Sequence, residues 1–184
     1  QVRGLAFSPD GARLAIAIGF RGPAGNPDPD GIDVVDVRSD ETLAKLRGDE
    51  VGSVAFSPDG SLLAGGELDG DVLLWATDGW RRVGAPLASG WEAPSVAFPP
   101  DGRTLATSDQ RGAVALWDVA SQQAVGPPLP GLPDARTTAR FAPDGDRLFA
   151  VSETGRAIRW EVDPELWLQR ACALVAGGLT PEQW

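Results

Sequence analysis

The sequence predicts an all-β chain built from four copies of one antiparallel sheet. Two periodic markers and one compositional one carry that expectation. Phe7, Phe56, Phe98 and Phe141 recur at intervals of 49, 42 and 43 residues, each closing an apolar stretch just before a Pro-Asp-Gly turn. From the last three a tryptophan follows 19 residues on, at Trp75, Trp117 and Trp160; the first copy has Val35 in that slot, 28 residues on, which implies an insertion of about nine residues. Gly 23 and Pro 16 in 184 residues suit short strands divided by turns better than helices.

The elements follow in order. The segments GLAFSPDGARLAIA from Gly4, SVAFSPDGSLLAGG from Ser53, SVAFPPDGRTLATS from Ser95 and TARFAPDGDRLFAV from Thr138 align without gaps. A first strand ends at each Phe. Ser8-Pro9-Asp10-Gly11 then makes a tight turn, because Pro presets φ at the second position and Gly tolerates the exit conformation. Pro99-Pro100-Asp101-Gly102 and Ala142-Pro143-Asp144-Gly145 keep Pro, Asp and Gly where that geometry needs them. A second strand is expected at Leu14 to Ile18, Leu62 to Gly65, Thr104 to Thr107 and Leu148 to Val151. Another Gly-bearing turn (Asp69-Gly70, Gly112, Gly155) leads to a third strand of alternating pattern, as in Val114-Ala115-Leu116-Trp117. A weaker fourth strand closes the first three units, at Thr42 to Leu46, Arg82 to Leu87 and Gln123 to Val125, while the fourth unit stops at Val162. The units span about 2–50, 51–92, 93–135 and 136–162. Four antiparallel strands with an apolar stripe too wide to bury alone describe a propeller blade.

Residues 2 to 162 closely resemble bacterial WD repeats, whose blades carry FSPDG, a Gly-led third strand and Leu-Trp-Asp. Leu116-Trp117-Asp118 is complete, and Leu74-Trp75-Ala76 and Arg159-Trp160-Glu161 are partial. The resemblance implies a WD-repeat β-propeller, most often seven-bladed, with these as the last four blades of a larger ring; a closed ring of four is the alternative. In such blades a His after Gly joins an Asp, a Ser or Thr, and the Trp in a hydrogen-bonded network. This chain has no His, and the matching pairs are Gly48-Asp49, Gly90-Trp91 and Gly131-Leu132. The turn Asp survives as Asp69 but becomes Arg111 and Thr154. The network is therefore expected to be absent, leaving the fold to apolar packing.

Past Val162 the pattern becomes helical over 163–184. Asp163 suits an N-cap, Pro164 the first helical position and Glu165 the helix dipole. Leu166, Trp167, Arg170, Ala171, Leu174 and Val175 fall at helical spacing, and Gly177-Gly178 ends the run. A short C-terminal helix covering the edge of the final blade is the expectation. The string Trp167-Leu168-Gln169-Arg170-Ala171-Cys172, with Gly178-Leu179-Thr180 and Glu182 to Trp184, resembles the tail after the last blade in bacterial STAND-type NTPase signalling proteins. That resemblance implies a sensor or scaffold at the C-terminal end of a multidomain protein, with any NTPase upstream. Gln1, an unusual start, fits an excised part.

Catalytic chemistry finds no footing in these residues. Without His there is no His-based triad and no imidazole ligand. Cys172 lies in an apolar helical pattern and reads as structural. No G-x-x-x-x-G-K-[ST] loop is present, and Gly19 to Gly31 contains Pro23, Pro27 and Pro29 but no Lys, so it reads as an inserted loop. Asp28, Asp30 and Asp33 lack the Gly and Glu of a calcium loop. Asp10, Asp59, Asp101 and Asp144 sit in tight turns and read as turn formers. No catalytic residue, cofactor or metal is expected. A formal charge of −10 opposes binding to nucleic acid or anionic membranes. A lone Cys and the lack of a signal-peptide pattern fit a cytoplasmic protein.

What remains is surface. In WD propellers the fourth-to-first and second-to-third connections share one rim, the usual partner face. Here that implies Phe20, Arg21, Asp49, Glu50, Trp91, Glu92, Arg111, Asp134 and Arg136, with Trp91 and Phe20 as aromatic anchors. The expected function is protein binding; a small-ligand or glycan-binding propeller, or a propeller hydrolase, are the alternatives. Open blade faces at either end of the run would also permit self-association, two copies closing a four-plus-four ring.

Overall fold

The computed structural model describes residues 1–18, 31–88, 95–132 and 136–162. The first sheet runs in order β1 (Val2–Phe7), β2 (Arg13–Ile18), β3 (Gly31–Asp36) and β4 (Thr42–Arg47). In the second, β5 (Val51–Phe56), β6 (Leu62–Glu67) and β7 (Asp71–Ala76) are followed by β8 (Arg81–Arg82) and β9 (Leu87–Ala88), both paired with β7. The third holds β10 (Ser95–Ala97), β11 (Thr104–Ser108), β12 (Val114–Asp118) and β13 (Gln123–Ala124). The fourth has three strands among the described residues, β14 (Thr137–Phe141), β15 (Arg147–Ser152) and β16 (Ala157–Glu161). All pairings are antiparallel and, β9 with β7 aside, between chain neighbours, and the first strands β1, β5, β10 and β14 lie side by side in that order. The expected tail, 163–184, lies outside the described residues.

One expectation is corrected in detail. The fourth strand of the second blade was expected unbroken from Arg82 to Leu87, but it is split into β8 and β9. Gly84 between them adopts φ +70°, and Pro86 has no N–H to offer β7. The third blade does the same more weakly: β13 has two residues, and pairing resumes only at the bridge between Leu129 and Val114.

The turns are held by the side chains that the repeat keeps. Ser8 donates its hydroxyl to Asp10 Oδ1 at 2.5 Å and accepts the Arg13 amide at 2.9 Å, and the Ala12 amide donates to Asp10. Ser57 and Asp59 repeat this in blade 2. These bonds hold the Asp10 and Asp59 carboxyls below the usual aspartate range, the serine hydroxyl contributing most. The turn glycines have a second task, since each faces the proline of the previous blade's turn. A Cβ on Gly60 would meet Pro9 Cδ at 3.5 Å, on Gly102 Pro58 Cδ at 3.2 Å, and on Gly145 Pro100 Cδ at 3.1 Å.

Three apolar cores lie between consecutive blades, and one rule builds all of them. Strand register sets rows of side chains across each sheet. Phe56, Leu63 and Trp75 form one row on blade 2, and Phe141, Leu148 and Trp160 its counterpart on blade 4. Each row faces backwards, into the preceding blade's opposite face. Trp75 and Leu63 pack with Ala15 and Val34 of blade 1; Trp117 and Leu105 with Ala64 and Leu74 of blade 2; Leu148, Phe141 and Trp160 with Ala106 and Leu116 of blade 3. The receiving rows are Ala6–Ala15–Val34, Ala55–Ala64–Leu74 and Ala97–Ala106–Leu116. Small alanines leave a trough into which the next blade's large side chains fit, each contributing roughly 1.5–3 kcal/mol on burial.

The His-centred network was expected to be absent, and part of it nonetheless survives: in blade 3, Trp117 Nε1 donates to Thr107 Oγ1 at 3.0 Å. Blade 2 has Gly65 in the position of Thr107, and the Trp75 ring lies over it. Polar side chains also join blades 3 and 4. Ser95 donates to Ser108 at 2.6 Å, Ser108 donates to Thr137 O, and the Ala139 amide donates back to Ser95 at 3.0 Å. Ser53 holds the place of Ser95 in blade 2, but Gly66 stands where Ser108 would be, and the buried Ser53 Oγ has no partner.

Candidate partner-binding rim

In blades 2, 3 and 4 the two kinds of connection touch on one edge. In blade 2 the Asp49 amide donates to Glu67 Oε1 at 2.6 Å, and the Leu68 amide to Glu50 O at 3.3 Å. In blade 4 the Glu153 amide donates to Arg136 O at 3.1 Å. In blade 3 the approach is backbone to backbone: a Cβ on Gly131 would lie 1.2 Å from Gly112 O, and one on Gly112 1.9 Å from Leu132 O. Glycine is required at both places, and at Gly112 also by its φ of +83°.

Of the candidate residues, Asp49, Glu50, Arg111 and Arg136 sit on these connections with exposed side chains. Phe20, Arg21, Trp91, Glu92 and Asp134 lie outside the described residues. The four that are described are not gathered into one depression. Asp49 borders a hollow of about 310 Å³ with Arg47, Glu67 and Arg82. Arg111 borders another of about 260 Å³ with Thr107, Asp109 and Pro128. Arg136 lines the largest, about 540 Å³, where Gln1 and Arg3 of blade 1 and Thr138 and Glu153 of blade 4 face a common space beside Gly52 and Leu68. Separate shallow hollows along a rim suit a broad macromolecular contact better than one enclosed small molecule.

Sequence reasoning missed Glu67. Glu67, at the end of β6, is 5% exposed, and burial pushes its carboxyl up to about 7 despite the hydrogen bond from the Asp49 amide. Asp69 and Asp71 each bring a carboxylate oxygen within 4.8 Å of it and of each other. With one Glu67 oxygen already accepting the Asp49 amide, a proton on the other relieves the mutual repulsion of the three acids. The signal in the sequence was its register position: eleven residues past the Phe, blades 3 and 4 also bury a polar side chain, Asp109 and Ser152, on their turn amides.

That carboxyl makes stability depend on pH. The folded value lies above the ordinary one, so the native state holds the proton more tightly than the unfolded chain. The contribution is complete below about pH 4.5 and is lost as pH rises through about 7. Unfolding free energies from urea titrations at pH 5 and pH 8 are expected to differ by on the order of 1–2 kcal/mol, the higher at pH 5, allowing for screening by nearby solvent. Glu67→Gln, which keeps an acceptor for the Asp49 amide, is expected to flatten that difference; an unchanged pH dependence in the variant would assign it elsewhere.

The described Trp75 and Trp117 are inside the cores, as the sequence implied, and offer no aromatic platform to a sugar. Asp10 and Asp59 are turn formers, as are Asp101, which accepts the Arg103 amide, and Asp144, which accepts the Asp146 amide. Among the described residues no helix is long and apolar enough to cross a membrane.

Comparison with known proteins agrees with this geometry. Residues 40–76 and 89–118 match the family described as WD domain, G-beta repeat. Among solved structures, a chain titled Kuenenia stuttgartiensis Hydrazine Synthase superimposes with a TM-score of 0.67 at 17% identity, covering 89% of this chain and 55% of that one. The present chain thus spans about half the length of that structure, and at such identity the likeness concerns the fold alone. No curated protein matches. Repeat, register and inter-blade packing converge with that match: residues 40–76 and 89–118 match WD repeats, and the described residues fold as a run of four β-propeller blades.

Proposed function

We propose that the rim formed by the fourth-to-first and second-to-third connections binds a protein partner, and that the chain contributes binding and not catalysis. The observation that carries this reading is the convergence of those connections on one edge, with Asp49, Glu50, Arg111 and Arg136 exposed along it. WD repeats typically mediate protein interactions, and exposed Arg beside aromatic anchors is the chemistry that dominates interface energy. In the finer reading, the blades are the sensor or scaffold part of a bacterial, cytoplasmic signalling protein of the STAND NTPase type. The tail motif from Trp167 to Cys172 supports that context.

The test is affinity capture on the immobilised chain, repeated with Trp91→Ala plus Phe20→Ala and with Arg111→Ala plus Arg136→Ala. A specific protein retained by the native chain, and reduced at least several-fold by either pair, is the expected result. Capture that both pairs leave unchanged would remove the rim as the binding surface.

A further inference from the structure

The rim occupies one end of the strands, and the other end carries a second surface. Because every sheet is antiparallel, the first-to-second and third-to-fourth connections leave from the end opposite the rim. The side-by-side first strands bring their last residues together there. Phe7, Phe56 and Phe141 end β1, β5 and β14, and Phe98 follows β10. With the prolines of the four turns, these rings line one open hollow of about 310 Å³. Phe56, Phe98 and Phe141 also pack against the inter-blade cores and stay half-buried, while Phe7 is 62% exposed. Apolar side chains that four separate blades bring to one exposed space make a contact surface.

The charge around the hollow is one-sided. Asp10, Asp59, Asp101 and Asp144 follow the prolines of the same turns, and all four are exposed. Hydrogen bonds from Ser8, Ser57 and Arg147 hold the Asp10, Asp59 and Asp144 carboxyls, in that order, below the usual aspartate range. The connections at this end, residues 8–13, 36–41, 57–62, 76–81, 99–104, 118–123 and 142–147, hold ten acids and five bases. Of the bases, Arg147 is paired with Asp144 and Arg13 lies over the Trp80 ring.

We propose that this end of the blades binds a protein segment that carries an apolar side chain flanked by Lys or Arg. The apolar side chain enters the hollow among the phenylalanines, and the turn aspartates meet the flanking cations at its margin. Those same acids repel the phosphates of nucleic acid and anionic lipid. Because the surface lies at the opposite end from the rim, it stands whether or not the rim binds a partner.

Fluorescence anisotropy with labelled peptides tests this on the full chain. The probe has Leu-Phe between two pairs of Lys; one counterpart replaces Leu-Phe by Ser-Ser, and another replaces every Lys by Glu. The Lys probe is expected to bind at least several-fold more tightly than either counterpart. Two changes are each expected to weaken it several-fold while the chain stays folded. One is Phe7→Ser, at an exposed ring; the other is Asp59→Asn with Asp101→Asn, which keeps an acceptor for each turn amide. A Lys probe that binds no better than its Ser-Ser counterpart would reduce the contact to bulk charge and overturn the proposal. Binding that neither change alters would do the same. So would a titration in which binding falls while light scattering shows the mass doubling, since that gives the hollow to a second copy.

Discussion

Trp75→Ala is expected to cost about 3–5 kcal/mol of folding stability, a large part of what a domain of this size possesses. Trp75 is 2% exposed and packs between blades 1 and 2 against Ala15, Ala17, Ile32 and Leu63. Its neighbours are too small to close the gap its removal would leave. Gly65 lies directly beneath, where even a Cβ would meet Trp75 Cζ3 at 3.0 Å. The cavity would therefore stay open and span two blades. Trp80, on the turn after β7, is the control. It stacks with Arg13 at 5.7 Å from its partly exposed ring, a contact worth about 1 kcal/mol. Urea denaturation of the two variants side by side separates a fully buried tryptophan from a half-buried one at the margin of the same core; equal losses would show that Trp75 does not hold the blades together.

Gly112→Ala is the second large effect, expected at about 3 kcal/mol or more. Two costs combine there. The backbone sits at φ +83°, and a Cβ would lie 1.9 Å from Leu132 O, so the 131–132 connection must move. Gly155 occupies the same turn of blade 4 at φ +77° but faces open space. Gly155→Ala thus measures the conformational cost alone, about 1 kcal/mol. The difference between the two is the energy of the close approach that shapes the rim. Because Arg111 precedes Gly112, the same substitution is expected to weaken partner capture, whereas Gly155→Ala is not. Equal destabilisation by both would show that the two connections do not constrain each other.

Much of the fold was legible because the repeat states it four times. Phe, Pro-Asp-Gly and Trp recur at fixed register, and period-2 patterning set the strands. The broken fourth strand of blade 2 was harder to read, because Arg82 to Leu87 carries an apolar pattern while Gly84 and Pro86 decide its backbone. Glu67 looked like an ordinary strand-end acid. Its burial comes from the Gly48–Asp49 connection folding over it, a contact between residues 18 apart that no local pattern reveals. The missing His suggested that no tryptophan would be hydrogen-bonded, yet Thr107 sits opposite Trp117 in register and needs no His to accept from it. On the rim, connection type identified Asp49, Glu50, Arg111 and Arg136 as exposed. The placing of Asp49, Arg111 and Arg136 at three separate hollows depends on the spread of the blades, which sequence spacing does not encode.

The proline–glycine contacts between successive turns bear on how such a chain can lengthen or shorten. Pro9 meets Gly60, Pro58 meets Gly102 and Pro100 meets Gly145, so the turns of blades 2 and 3 each supply one half of a joint and receive the other. Unequal recombination that duplicates or deletes a whole unit of blades 2 or 3 restores identical joints on both sides and keeps an alanine trough against a tryptophan row. Duplication of blade 4 would set Arg140 and Phe149 where an alanine trough is required. Gene-level variation in blade number is thereby channelled to whole units of blades 2 and 3.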